Sequence, residues 1–235
     1  MQKFILLSIS CLFLSLKLVG NIFSRDSVSA NIEFHDQLLD SIKKMEALRD
    51  SSYTISTKYG REVIKFVYKT DHPALKGLVE KTQGVSFFYQ GVFDSALYHY
   101  NKAIPEFKKS KQKIDVGKVL NNIAIVYRRQ KKQDLALENY LAAIDIYKPE
   151  NYLKGIAGVY FNVGGVYHSL NNYNQTLRYY TLALSMFLKQ DPSFRLARVY
   201  GNLGDLYLDL KQYDKSIEYL KKALILNEKT SRFNH

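Results

Sequence analysis

Cysteine and tryptophan are almost absent: Cys11 is the single cysteine in 235 residues, and no tryptophan occurs. One thiol cannot close an intramolecular disulfide, and removal of a leader containing Cys11 leaves no thiol for nucleophilic catalysis or metal binding. The histidines, His35, His72, His99, His168 and His235, are never separated by a metal-ligand spacing. Glycine-rich phosphate loops and convincing strands are missing too. These absences argue for a non-enzymatic protein without metal or cofactor.

Long apolar runs are also scarce. The longest, Phe4 to Leu16, follows Lys3 and is uncharged, but thirteen residues cannot span a bilayer. A basic residue followed by a short apolar stretch fits a secretory signal, and Val28, Ser29 and Ala30 offer small residues near a cleavage site expected between positions 20 and 30. Residues 1–30 are therefore read as a signal peptide that sends the protein to the periplasm, the cell surface or the medium. An uncleaved N-terminal membrane anchor reaching Phe23 is the alternative, strained by Lys17.

Acidic residues are outnumbered, 22 against 34, for a net charge of +12. Residues 1–30 contribute Lys3, Lys17, Arg25 and Asp26, so the remainder carries +10. From Lys102 to Lys132 ten bases face only Glu106 and Asp115, a local excess of +8. Lys108, Lys109, Lys111 and Lys113 read best as a solvated link. A basic balance also raises binding of nucleic acid or an anionic surface, but the nearby tyrosines fall at packing positions where they cannot stack on bases.

What is present is a repeat. Ala103, Ala143, Ala183 and Ala223 recur every forty residues. In the same register stand an aromatic (Phe87, Tyr127, Tyr167, Tyr207), a small residue three places earlier (Gly84, Ala124, Gly164, Gly204), a second small position (Ala96, Ala136, Thr176, Ser216) and a large residue four later (Tyr100, Tyr140, Tyr180, Leu220). Small residues flanked by large ones at helical spacing are what two closely crossing helices need. One such hairpin cannot bury its own apolar stripe, so the units must stack.

These positions resemble the tetratricopeptide repeat, whose hairpins carry a large residue, a Leu-Gly pair and a Tyr in the first helix and Ala, Phe and Ala in the second. The resemblance implies an all-α superhelical solenoid of four repeats, 77–110, 117–150, 157–190 and 197–228, behind a degenerate hairpin over 31–76 and ahead of a tail over 229–235. Each unit is about six residues longer than the usual repeat of about 34. The extra residues are expected in the links Lys108–Val116, Lys148–Ile156 and Leu188–Ala197. The repeat's closing proline is absent from Lys108, Lys148, Leu188 and Glu228. Long-linked arrays of this kind resemble those of kinesin light chains and bacterial regulators, where repeats recognise partners.

In this family the first helices line a concave face. The resemblance places Asn122, Asn162 and Asn202 on that wall as a ladder of amides able to hold a peptide backbone. Lys118, Arg128 and Arg198 would meet acidic groups of a peptide or protein partner. Phe161, with Phe88 and Tyr89, would meet its apolar side chains, while Gly165, beside the packing Gly164, would leave room for its backbone. His168, on the same wall, reads as a polar surface residue. Leu220, Leu224 and Ile225 follow no capping helix, which leaves that end to self-associate, to dock on a partner, or to continue into the output domain of a signalling regulator.

Overall fold

A computed structural model describes residues 28–190 and 194–232, so the signal-peptide reading falls almost wholly outside the described residues. Every regular element among them is a helix: α1 (Val28–Ser51), α2 (Tyr53–Val67), α3 (Pro73–Tyr89), α4 (Phe93–Lys109), α5 (Lys113–Arg129), α6 (Gln133–Tyr147), α7 (Leu153–Ser169), α8 (Tyr173–Gln190), α9 (Phe194–Asp209) and α10 (Tyr213–Arg232). They pair in chain order as antiparallel hairpins, the all-α hairpin-repeat solenoid architecture expected from the register. Two compact units divide the chain, Met1–Gln112 and Lys113–His235. The first holds the hairpins α1–α2 and α3–α4, the second α5–α6, α7–α8 and α9–α10.

The turns explain the forty-residue period. Gly91, Lys111, Lys131, Asn151, Asn171 and Lys211 all have positive φ, between 49° and 77°. Apart from position 191, which is not described, they recur every twenty residues. At each, the following N–H reaches back to an aromatic carbonyl: Val92 to Phe87, Gln112 to Phe107, Lys132 to Tyr127, Tyr152 to Tyr147, Asn172 to Tyr167 and Gln212 to Tyr207, at 2.8–3.0 Å. The left-handed residue's own N–H bonds the next carbonyl, completing a Schellman closure. Turns within a hairpin and turns between hairpins are thus the same object. Part of the expected links is helical instead: α4 runs to Lys109 and α5 starts at Lys113, while in the second link 148–152 stay outside helix and α7 starts at Leu153. Lengthening each helix by a turn lets one closure serve both ends, so the residue pattern repeats every forty and the backbone every twenty.

Helix crossings rest on the small positions. A Cβ at Gly84 would lie 2.6 Å from the Tyr100 ring, one at Gly204 would lie 2.6 Å from Leu220 Cγ, and one at Gly164 would overlap the Tyr180 ring. Tyr100, Tyr140 and Tyr180 are buried, as are Ala103, Ala143 and Ala183. In residues 113–235 these pairs knit into two apolar clusters, one around Tyr140, Tyr147, Val159 and Val163, the other around Tyr180, Phe187, Val199 and Leu203. Residues 1–112 differ. Leu38, Ile42, Met45, Val63 and Val79 form an apolar cluster there, but α3 also buries Glu80, Thr82, Gln83 and Ser86. Gln83 stands where later repeats have Ile123, Val163 and Leu203. Its Nε2 donates to the Thr57 carbonyl at 3.0 Å, and the Ser56 and Ser86 hydroxyls share a 2.9 Å bond beside it.

Gly164→Ala, which drives a methyl into the Tyr180 ring, should lower unfolding stability by about 1–3 kcal/mol. Gly201→Ala, whose Cβ would meet nothing within 4 Å, should raise it by about 0.5–1 kcal/mol through helix propensity. Urea unfolding followed by circular dichroism reads both; equal effects would contradict the crossing geometry.

Candidate functional site

A cavity of about 350 Å³ opens among the first helices of the second unit. Lys118 comes from α5, Lys154, Gly158, Phe161 and Asn162 from α7, and Arg195 and Arg198 from α9. Tyr147, Tyr152 and Phe187 close the floor and one side, with Asn121 beside Asn162. The lining comes from three successive first helices, α5, α7 and α9, so side chains about forty residues apart in sequence face one space. The lining holds four cations and no carboxylate. Lys118 Nζ donates to Asp115 Oδ1 at 3.1 Å, with the Tyr152 ring centroid 5.9 Å away. The Arg198 guanidinium lies over Phe161 at 5.1 Å, and Phe161 stacks on Tyr180 at 5.7 Å. Cations held over ring faces are partly desolvated and oriented, which strengthens their pull on an anion.

Of the residues expected to bind, Lys118, Phe161, Asn162 and Arg198 share this cavity. Arg128 and Gly165 form a neighbouring group: a Cβ at Gly165 would lie 2.9 Å from Arg128 Nη1 and 3.7 Å from the Tyr180 hydroxyl. Asn202 belongs to that group, since its Nδ2 donates to the Tyr180 hydroxyl at 3.1 Å. His168 Nε2 is 2.7 Å from Asp209 Oδ2, linking α7 to α9. The three asparagines are therefore not equivalent rungs. Asn162 Nδ2 donates to Asn121 Oδ1 at 3.0 Å and Asn202 is spent on a tyrosine, while Asn122 is half-buried on α5 and lines neither group.

Sequence reasoning missed Tyr152, Lys154 and Arg195. The signal was available: Lys154 and Arg195 lie one turn or less before Gly158 and Arg198. They fell in stretches read as links, and only their helical conformation turns them inward.

A second polar centre lies in the first unit. Glu80 is buried; its Oε2 is 2.6 Å from His99 Nδ1, and its Oε1 accepts from the Tyr68 hydroxyl at 2.7 Å. Burial, and then donation to Glu80, hold the Tyr68 phenol well above its ordinary pKa. Position 80 corresponds to Tyr160 and Tyr200, position 99 to Tyr179 and Tyr219, and those tyrosines pair at 5.9 and 6.0 Å. His99 also keeps the ring stack of its counterparts, on Phe87 at 5.2 Å and 11°, as Tyr179 does on Tyr167 and Tyr219 on Tyr207. The Glu–His pair occupies a packing position, and both Glu80 oxygens are engaged. Among the described residues no group of three or more His, Cys, Asp or Glu is arranged to hold a metal, and no helix is long and apolar enough to cross a membrane.

Tyr140 and Tyr180 make opposite use of equivalent hydroxyls. Tyr140 is fully buried and its hydroxyl lacks a hydrogen bond among the described residues, so burial pushes its phenol up to about 12. Tyr140→Phe should raise stability by about 1 kcal/mol by removing an unsatisfied group, whereas Tyr180→Phe should lower it by a similar amount by orphaning the Asn202 amide. Because the folded Tyr140 phenol binds its proton more tightly than the unfolded one, its contribution is whole below pH 10 and lost as pH rises through about 12. Over that window Tyr140→Phe should lose less stability than the parent in urea titrations.

The model of the tetratricopeptide repeat matches residues 79–148 and 155–229. A search of curated protein sequences found no match. Solved structures share the fold. BtubC (BKLC) from P. vanneervenii aligns at 17% identity over 95% of this chain and 91% of its own, with a TM-score of 0.74. A putative kinesin light chain from Podosopora anserina with nearly identical repeats gives 11% over 83% and 97%, TM-score 0.65. Aspartyl phosphate phosphatase F from Bacillus subtilis gives 16% over 92% and 69%, TM-score 0.60. With the register, the hairpin crossings and the matched segments in agreement, this chain belongs to the tetratricopeptide-repeat family, whose members generally serve protein–protein interaction.

Proposed function

We propose that the protein is an exported, non-enzymatic scaffold or sensor that binds an acidic peptide or protein segment across the first helices of its second unit. The observation that carries this reading is the cavity itself, with four cations and aromatic walls but no lining carboxylate. Lys118, Lys154, Arg195 and Arg198 would meet acidic groups, Phe161 and Tyr152 an apolar side chain, and Asn162 with Asn121 the backbone. Arg128 and Gly165 extend the track towards α7's C-terminal end. The export part rests on Lys3 and the apolar run after it.

Against an array of synthetic peptides, the mature chain should retain acidic sequences containing an aromatic residue. Arg198→Glu combined with Lys118→Glu should weaken retention at least tenfold while leaving helical circular dichroism unaltered. Selection of neutral or basic peptides, or indifference to the charge reversals, would overturn the reading. Recovery that depends on nuclease-sensitive material and falls steeply with salt would instead favour nucleic acid.

A second reading concerns α10. Tyr213, Ile217, Leu220 and Leu224 are exposed at helical spacing, while their counterparts Tyr173, Leu177, Tyr180 and Leu184 pack against the cluster containing α9 residues. Two copies of α10 packed antiparallel would cover this apolar stripe in each, which is the occupant the exposed face fits. Light scattering should show a dimer that Leu224→Glu converts to monomer; a monomer at high concentration in the parent protein would sink it.

A further inference from the structure

We propose that the cavity of the second unit recognises a phosphorylated tyrosine side chain within the bound segment. The inference rests on the segment-binding reading above and specifies the group that enters the cavity.

The number of cations, set against the size of the space, carries it. Lys118, Lys154, Arg195 and Arg198 approach one cavity of about 350 Å³ from three different helices. Asp115 partners Lys118. Among the described residues no carboxylate is paired with Lys154, Arg195 or Arg198. At the low end of the range for ligand sites, about 300–1,000 Å³, such a volume admits one large side chain rather than a run of acidic residues. A single Asp or Glu would bring one charge to this group of cations. A phosphate monoester brings about −1.5 to −2 at neutral pH, with three acceptor oxygens. Arg195 and Arg198, three residues apart on α9, sit on one helix face and present guanidinium donors of the kind that pair with phosphate.

The walls select the rest of the group. Tyr147 and Phe187 are nearly fully buried in the lining, and Phe161 carries the Arg198 guanidinium over its ring and stacks on Tyr180. A ring entering beside Phe161 carries its phosphate among the cations on α9. An aliphatic phosphoserine would leave that apolar wall unfilled. Gly158 keeps the entrance clear, since a Cβ there would meet nothing within 4 Å. Backbone can therefore approach α7 while the side chain goes in, which suits a residue in an extended segment better than a free nucleotide.

Isothermal titration calorimetry with four probes tests this: an acidic peptide with one phosphotyrosine, its tyrosine and phosphoserine counterparts, and adenosine monophosphate. The phosphotyrosine peptide should bind at least tenfold tighter than the tyrosine peptide. Arg195→Gln with Arg198→Gln should erase that preference while helical circular dichroism stays unaltered, and Phe161→Leu should reduce it. The preference should also fade as pH drops through about 6, where the phosphate becomes a monoanion. Equal binding of the tyrosine and phosphotyrosine peptides would overturn the inference and leave segment binding standing. Tighter binding of phosphoserine would overturn the aromatic part. Binding of adenosine monophosphate with neither tyrosine peptide would overturn both readings, as would no binding of any probe.

Discussion

The contact on which the rest of the molecule depends is a ring laid on a helix that has no side chain beneath it. Tyr180 over Gly164 and Tyr100 over Gly84 bring paired helices closer than any Cβ would permit. Leu220 over Gly204 makes the same contact with an aliphatic side chain. Close approach buries the alanines forty residues apart and fixes where the next hairpin can stack. The cationic cavity is assembled from three first helices whose hairpins cross at a small residue each, Ala124, Gly164 and Gly204.

The turns supply the second constraint. From Gly91 onwards, at each described turn, a Schellman closure recurs at a twenty-residue interval, the same inside a hairpin as between hairpins. Lysine occupies the left-handed position three times, at a cost of about 1–2 kcal/mol each relative to ordinary helical backbone. The structure tolerates this because each closure satisfies two carbonyls that the helix end would otherwise leave open. The aromatic residue whose carbonyl receives the second bond also packs its ring into the hairpin, so one position serves both the backbone and the core.

Departures from the register fall into two kinds. In the first unit, Glu80, His99, Gln83 and Ser86 replace apolar or aromatic partners with hydrogen bonds made within the unit, although the buried Gln83 Oε1 has no partner among the described residues, so that stretch keeps its packing geometry with different chemistry. In the second unit the departures are cations: Lys118 pairs with Asp115 and lies over the Tyr152 ring, and Arg198 lies over Phe161. A polar substitution that finds a partner inside the fold contributes to stability. A charge that does not remains available to something outside it.

From the residues alone, the forty-residue register, the hairpin architecture and the family resemblance were legible, because packing positions must recur wherever the same crossing recurs. Lys118, Phe161, Asn162 and Arg198 were legible as wall residues for the same reason. The tertiary structure decided what periodicity cannot carry. It turned the ends of the supposed links into helix, because a twenty-residue backbone period is hidden when only alternate helices share side chains. That in turn brought Lys154 and Arg195 into the cavity. It also separated the three asparagines, which are identical in sequence register: Asn162 meets Asn121, Asn202 meets Tyr180, and Asn122 stands apart. A hydrogen bond depends on the neighbour, 41 residues away for Asn162 and 22 for Asn202, as much as on the residue itself, and those neighbours do not repeat.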